Sequence, residues 1–186
     1  MGNVIVVVDM LKGFHNKGNL ANPRTASIIP NIRELLERKM KEGGYRVVFL
    51  NDNHLSDDKE FEMFPPHCVE GTEETNVVAE LQEFCDMGNN TVYPKKRYSG
   101  FFQTYLEGLL VFERPEEVIV VGVCTDICVL HTVADLRNRD YQVIVPADCV
   151  ETFDAPNHNA GDENGWALGH MQYILGATIV DSQLEI

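Results

Sequence analysis

Residues 117–140 read EVIVVGVCTDICVLHTVADLRNRD, and this stretch indicates the fold class because its hydrophobic pattern changes partway along it. The first seven residues are apolar at nearly every position, which is typical of a strand buried on both faces of a parallel sheet. A helical pattern begins near Thr125, with Asp126 in its first turn. The stretch therefore predicts a strand followed directly by a helix, the repeating unit of an α/β protein.

The same alternation runs along the whole chain. Short β-branched runs predict six strands, at residues 3–9, 45–52, 90–95, 117–123, 141–148 and 176–181. Helical patterns lie between them, at residues 32–44, 75–88, 102–110 and 125–140, with a last one within 164–176. No repeat or Pro/Gly/Ser-rich linker divides the chain. We therefore expect one domain spanning residues 1–186, a three-layer α/β/α fold with a mostly parallel, doubly wound six-stranded sheet.

Composition argues against several classes of partner. The formal charge of −14 comes from 29 acidic and 15 basic residues, and there is no basic stripe that could follow a nucleic-acid backbone. The longest apolar runs are far shorter than the ~20 residues of a membrane-spanning helix. The N-terminal MGNVIVVVD does not resemble a signal peptide, so we expect a cytoplasmic protein. Five cysteines form no CxxC pair, which speaks against a disulfide framework.

Reactive side chains follow four of the predicted strands. The first strand ends at Asp9, the second at Asp52 and the third at Lys95, while the fourth leads to Cys124 and Cys128. The carboxyl ends of parallel strands meet at one edge of a sheet, where α/β proteins bind their ligands. A carboxylate, an ammonium group and a thiol at one edge are the parts of a thiol hydrolase.

The two cysteines differ in what they can offer. With Thr125 as the N-cap, Cys128 would be the third helical residue, at the positive end of the helix and close to a lysine. That setting lowers a thiol pKa and favours the nucleophilic thiolate. The alternative is that Cys128 is a small buried apolar residue, the commoner fate of a free cysteine. Cys124 belongs to the turn, where its backbone amide matters more than its sulfur.

A second pattern predicts a metal site. Asp52 and His54 are two residues apart on an extended segment, so their side chains point the same way, and His67 follows after Pro65–Pro66. One carboxylate and two imidazoles with open positions are typical of a catalytic zinc, iron or manganese site. Glu60 is a candidate fourth ligand. The alternative is a solvated acidic loop, because DDKEFE (57–62) is charged almost throughout.

Several motifs together resemble one family. GVCTDICV (122–129) resembles the nucleophile motif of the isochorismatase-like cysteine hydrolases, the superfamily that includes nicotinamidases. VIVVVDMLKGF (4–14) and YPKKRYSGF (93–101) resemble its aspartate and lysine motifs. NDNH (51–54) and FPPHCVEGT (64–72) resemble the metal-binding segments of nicotinamidases. The similarity covers nearly the whole chain in the same order, and the tail at 157–181 resembles the closing helix and strand.

The resemblance implies roles for particular residues. It makes Asp9, Lys95 and Cys128 a catalytic triad, and it implies a cis peptide between Val123 and Cys124. It also implies an oxyanion hole formed by the backbone amides of Cys124 and Cys128. Aromatic residues implied to hold the substrate ring are Phe14, Phe64 and Tyr98. One divalent metal ion would be bound by Asp52, His54, His67 and Glu60.

The implied activity is hydrolysis of nicotinamide to nicotinate and ammonia, in a homodimer or homotetramer. One departure concerns the first motif: the family commonly has DxQxDF, whereas this chain has Leu11 and Gly13 at the two polar positions. The triad residues are unaffected, but the resemblance does not predict the pocket wall near Asp9. Two alternatives remain. One is a sibling hydrolase acting on a carbamoyl or ureido amide or on isochorismate; the other is a non-catalytic flavodoxin-like binding protein.

Overall fold

A computed structural model of the protein describes residues 2–186 and contains a parallel seven-stranded sheet. The strands are β1 (Asn3–Val8), β2 (Tyr45–Asp52), β3 (Thr91–Lys95), β4 (Val118–Val123), β5 (Val143–Pro146), β6 (Val150–Glu151) and β7 (Thr178–Val180). Six of them form the order β3-β2-β1-β4-β5-β7, and β6 pairs with β4. The chain builds outward from β1 on one side and from β4 on the other. The predicted doubly wound α/β fold is confirmed, and its switch point lies between β1 and β4.

The predicted number of six strands is wrong by one. On its β4 side, β5 pairs only with Val118 and Ile119, at the start of β4, because the chain turns away after Pro146. The two-residue strand β6 then pairs with Gly122 and Val123 at the end of β4. Two strands therefore pair with β4 on this side: β5, from the predicted strand at 141–148, and the later strand β6.

Helices cover both faces of the sheet. They are α1 (Lys12–His15), α2 (Ile29–Glu42), α3 (Gln82–Cys85), α4 (Leu106–Glu113), α5 (Leu130–Arg137) and α6 (Ala160–Tyr173). Alternate residues of β1 face opposite ways, so Ile5 and Val7 join a core with α2 while Val4 and Val6 join a core with α4, α5 and α6. The result is the predicted three-layer arrangement. Among the described residues no helix has both the length and the apolar character needed to cross a membrane.

The predicted helix at 75–88 is mostly absent. Only Gln82–Cys85 is helical, because the preceding segment pairs with the chain that follows β1. Leu11 and Val77 form an antiparallel bridge, and the amide of Val78 donates to the carbonyl of Met10 at 3.0 Å. These tertiary hydrogen bonds use the backbone groups that a helix would have needed.

Candidate active site and metal centre

Lys95 is the central group of the candidate site. It lies at the end of β3, and its Nζ atom is 2.7 Å from Asp9 Oδ2, 2.5 Å from Asp52 Oδ1 and 3.4 Å from Cys128 Sγ. Asp9 follows β1 and Asp52 ends β2, so the three neighbouring strands bring these side chains to one edge of the sheet. All of them are at least 94% buried. The structure thus brings the three predicted triad residues into contact around one ammonium group.

Burial and charge set the protonation of this cluster. Burial opposes the charge of Lys95, but the Asp52 and Asp9 carboxylates outweigh it and raise the pKa of the ammonium group. Burial and the Asp52 charge raise the pKa of Asp9 to about 6, against the opposing pull of Lys95. Despite burial, Lys95 lowers the pKa of Asp52. At neutral pH the cluster therefore holds one ammonium group between two carboxylates, and Asp9 is the carboxylate that takes up a proton more readily.

The nucleophile turn differs in detail from the prediction. The helical segment begins at Thr125 with Cys124 as its N-cap, so Cys128 is its fourth residue instead of its third. Residues Thr125–Val129 form one π-helical turn, in which the carbonyl of Cys124 accepts hydrogen bonds from the amides of Ile127 and Val129, both at 3.1 Å. The peptide bond between Val123 and Cys124 is cis, as the resemblance implied.

The expected thiolate is not the resting state of Cys128. Burial raises the thiol pKa well above its ordinary value, and the Asp9 and Asp52 charges add to that rise. Lys95 favours the thiolate, but its charge is already matched by the two carboxylates. The prediction of a lowered pKa was wrong because the sequence could not show how deeply the sulfur is buried. Cys128 therefore carries its proton at neutral pH and needs a base.

A second buried cluster adjoins the first. The four residues predicted to hold a metal ion, Asp52, His54, Glu60 and His67, each offer one ligand atom within 4.8 Å of the others. His54 Nε2 lies 3.6 Å from Asp52 Oδ2 and 3.9 Å from Glu60 Oε1, and His67 Nε2 lies 3.8 and 3.9 Å from the same two oxygens. Ligand atoms held ~2.1 Å from one ion lie about 3.4 Å apart in a tetrahedral site and about 3.0 Å apart in an octahedral site, which would keep positions open. These side chains therefore lie close to the spacing that a first-row divalent ion requires.

Unpaired buried atoms support a metal-binding role for this cluster. His54 Nε2 and Glu60 Oε2 are buried and have no hydrogen-bond partner. Glu60 is only 4% exposed, so the solvated-loop alternative is wrong for this residue. Burial, together with the nearby Asp52 charge, raises the pKa of Glu60. Two carboxylates and two imidazoles fit a divalent transition metal ion.

One cavity joins the two clusters. It has a volume of about 240 Å³, and its wall includes Asp9 and Cys128 from the first cluster and Asp52, Glu60 and His67 from the second. The predicted aromatic residues Phe14, Phe64 and Tyr98 all line it. Lining residues that the sequence did not reveal include Leu20, Asn22, Ile127 and Phe153. No lysine or arginine of residues 2–186 is part of this wall.

The two departures from the family motif lie outside the cavity. Leu11 is fully buried, and Gly13 packs so tightly that a Cβ atom there would lie 2.6 Å from the sulfur of Cys68. Neither residue is part of the cavity wall. At these two positions the chain therefore packs against Cys68 and Val77, and the next residue of the motif, Phe14, lines the cavity.

His158 belongs to a third polar cluster, with Asp126 and Glu163. Its ring nitrogens already have partners: Nδ1 lies 2.8 Å from the carbonyl of Phe153, and Nε2 lies 2.9 Å from Asp126 Oδ2. Although burial opposes it, the hydrogen bond to Asp126 raises the pKa of His158. An imidazolium ion that donates from both nitrogens accounts for this geometry without a metal ion.

Comparison with known proteins agrees with this geometry. A family model described as the isochorismatase domain matches residues 3–171. Nicotinamidase 1 from Arabidopsis thaliana is 32% identical over 92% of this chain and 78% of its own length. The crystal structure of N-carbamoylsarcosine amidase from Thermoplasma acidophilum superposes with a TM-score of 0.85 at 31% identity, covering 100% of this chain and 99% of that one. Pyrazinamidase of Pyrococcus horikoshii in complex with zinc gives a TM-score of 0.82 at 28% identity, covering 97% and 99%.

Proposed function

The chain belongs to the isochorismatase family of hydrolases, and within that family we propose that it is a cysteine-dependent amidohydrolase that converts nicotinamide to nicotinate and ammonia. The observation that carries this proposal is the shared cavity. A thiol, a candidate metal centre and three aromatic side chains face the same space of about 240 Å³. That combination suits a small aromatic amide with a ring atom that can bind a metal ion.

The first chemical step uses the resting protonation of the site. Asp9 accepts the proton of Cys128 as the sulfur attacks the carboxamide carbon, since the thiol pKa is too high for spontaneous ionisation. Lys95 stays charged between the carboxylates and stabilises the thiolate as it forms. The backbone amides of Cys124 and Cys128 are the proposed donors to the oxyanion. Because Asp9 must be ionised, kcat/KM should rise as the pH increases through about 6.

The remaining steps return the site to its starting state. Protonated Asp9 gives its proton to the departing nitrogen, ammonia leaves, and Cys128 is left as a thioester. Asp9 then takes a proton from water as that water attacks the thioester carbon. The tetrahedral intermediate collapses, nicotinate is released and the sulfur regains a proton. Base and acid thus alternate on one carboxylate whose pKa, about 6, lies near the working pH.

Asp52, His54, Glu60 and His67 are the residues that would hold the metal ion. When bound, the metal ion supplies a Lewis-acidic contact for the ring nitrogen of the substrate. Phe14, Phe64 and Tyr98 confine the ring, so that the carboxamide faces Cys128. Lewis-acid activation of water is not part of this proposal.

A carbamoyl amide bearing a carboxylate is the second candidate substrate, because N-carbamoylsarcosine amidase is similar along the whole chain. The cavity wall argues against it. The carboxylates of Asp9, Asp52, Glu60 and Asp154 line the space, and the wall contains no lysine or arginine among the described residues. An anionic substrate would therefore find no cationic side chain in the wall to pair with its carboxylate, whereas an uncharged amide needs none.

Ammonia release from nicotinamide, benzamide and N-carbamoylsarcosine distinguishes these possibilities. Zinc-loaded protein should hydrolyse nicotinamide with a kcat/KM at least about a hundredfold above that for benzamide, which has no ring nitrogen. His54→Ala should lose zinc and most activity on nicotinamide. His170→Ala, which alters a histidine on α6 outside the cavity wall, should retain both. Equal rates for the two aromatic amides, or preference for the carbamoyl amide, would refute nicotinamide as the substrate. No release from any of them would refute the amidohydrolase.

A further inference from the structure

Asp58 is a buried carboxylate beside the candidate metal centre, and neither oxygen faces the cavity. Its Oδ1 accepts hydrogen bonds from the backbone amide of Glu60 and from Arg97 Nη1, both at 2.9 Å. Its Oδ2 lies 3.2 Å from His54 Nδ1 and 3.1 Å from the same Arg97 nitrogen. The side chain is 6% exposed. One carboxylate therefore contacts two candidate metal ligands and the residue two positions after Lys95.

We infer that Asp58 is a positioning residue that fixes His54 and Glu60 in the orientation needed for metal binding. The inference rests on the proposed metal centre. Its geometric basis is the side of the imidazole that Asp58 contacts. Asp58 Oδ2 lies 3.2 Å from His54 Nδ1, and a carboxylate can only accept there, so in the neutral ring Nδ1 carries the proton and leaves Nε2 free to bind a metal ion. Nε2 is the nitrogen that faces Asp52 and Glu60. A carboxylate behind a metal-binding histidine fixes the tautomer and strengthens the ligand.

The other oxygen of Asp58, Oδ1, contacts the backbone of Glu60. Asp58 is the N-cap of the short 3-10 helix Lys59–Glu62, and its hydrogen bond to the amide of Glu60 sets where that helix begins. The start of the helix in turn determines that the Glu60 side chain points inward, where it is 4% exposed. Asp58 thus orients one ligand through its ring and the other through its backbone.

Arg97 supplies a positive charge that stabilises the ionised Asp58 carboxylate at this site. Despite burial, the hydrogen bonds from the Glu60 amide, His54 and Arg97 lower the pKa of Asp58. Arg97 also follows the strand that carries Lys95, so the ion pair fastens the metal-binding loop to the strand that holds the triad lysine. The two clusters are therefore joined behind the cavity wall as well as across it.

An asparagine at this position could satisfy only part of these contacts. Its single oxygen could cap Glu60 or accept from His54, and its amide group would face a donor at the other place. The neighbouring Asp57 offers a matched control, because it has the same charge and lies exposed in the same loop. Asp58→Asn and Asp57→Asn remove equal charge from adjacent residues, so a general electrostatic effect would weaken metal binding in both.

The test is competitive titration of metal-free protein with zinc alone against a chromogenic chelator. Asp58→Asn should bind zinc about 10–100-fold more weakly than wild type, whereas Asp57→Asn should match wild type. With zinc at saturation, Asp58→Asn should raise the KM for nicotinamide more than it lowers kcat, and iodoacetamide should label Cys128 at the wild-type rate. Equal zinc affinity in wild type and Asp58→Asn, or equal weakening in both variants, would overturn the positioning role.

A second measurement needs no variant. Imidazole-nitrogen NMR of zinc-loaded wild type should show a protonated Nδ1 and a zinc-bound Nε2 at His54. Zinc on Nδ1 would overturn the inference even if Asp58→Asn failed to fold. Wild type that binds no zinc at all would overturn the proposed metal centre, and this inference with it. Zinc binding without any ammonia release would instead leave the role of Asp58 intact and remove the proposed function.

Discussion

Cys124 and Cys128 lie four residues apart, yet their surroundings give them different chemistry. Cys128 Sγ contacts Lys95 and faces the cavity with Asp9 nearby. Cys124 precedes the π-helical turn, where its carbonyl accepts two hydrogen bonds. Burial raises the thiol pKa of both residues, so thiol acidity does not separate them. What separates them is the presence of a cation and a base beside only one sulfur.

Substitution of each sulfur should therefore have unequal effects. Cys128→Ala should abolish turnover, because it removes the sulfur proposed to form the thioester. Cys124→Ala should keep a measurable part of the activity, since its proposed contribution comes from a backbone amide that alanine retains. Steady-state ammonia release, with circular dichroism to confirm folding, measures both. Equal loss in two folded variants would point to a joint metal or redox role for the pair.

Secondary-structure elements were predictable where burial dictates their sequence. Runs such as 47–50 and 118–123 are apolar because both faces of the central sheet are covered, so the strands that contain them could be located closely. The helix expected at 75–88 failed because its first residues pair with Leu11 and Met10, a contact between distant segments that local pattern does not contain. β6 was missed because a strand of two residues is too short to show a hydrophobic periodicity.

Gly122 shows why β1 and β4 can approach so closely at the switch point. Its φ is +118°, and a Cβ atom there would lie 2.0 Å from the carbonyl oxygen of Val8. Gly122→Ala should lower the free energy of unfolding by more than about 2 kcal/mol. Gly108→Ala in α4 meets nothing within 4 Å and should raise it by about 0.5–1 kcal/mol. Urea denaturation compares the variants; a Gly122→Ala midpoint at or above that of wild type would contradict this account.

At the scale of the whole molecule, the sequence predicted which strand ends have reactive side chains, but not the surroundings of those side chains. Asp9, Lys95 and Cys128 could be expected at one edge because parallel strands share an edge. The depth of burial, the matched charges around Lys95 and the contacts of Asp58 depend on how separate loops fold over that edge. Lys95 contacts Asp52 and Cys128 across 43 and 33 positions, and Arg97 contacts Asp58 across 39, distances along the chain that no local pattern covers.

His15 couples the folding of the whole molecule to pH. Burial lowers its pKa to about 4 from an ordinary 6.5. The unfolded chain therefore binds a proton at higher pH than the folded chain, and stability should fall as the pH drops from about 6.5 towards 4. The contribution is about 3 kcal/mol at most.

His15→Gln removes this titration and preserves a donor for Thr25 Oγ1, which lies 3.1 Å from His15 Nδ1. The difference in free energy of unfolding between wild type and His15→Gln should shift in favour of the variant by up to about 3 kcal/mol between pH 6.5 and pH 4. Urea titrations at several pH values measure that difference. A difference that stays constant with pH would show that the buried imidazole does not govern acid sensitivity.

The divided carboxylate of Asp52 constrains how this protein can change over evolutionary time. One oxygen contacts Lys95 and the other faces the two histidines. A lineage without the proposed metal centre could lose His54, Glu60 or His67 in any order while Lys95 kept both of its carboxylate partners. It could not lose the acid at position 52 without leaving Lys95 one carboxylate short. We therefore expect related sequences that lack the two histidines to retain an aspartate at position 52.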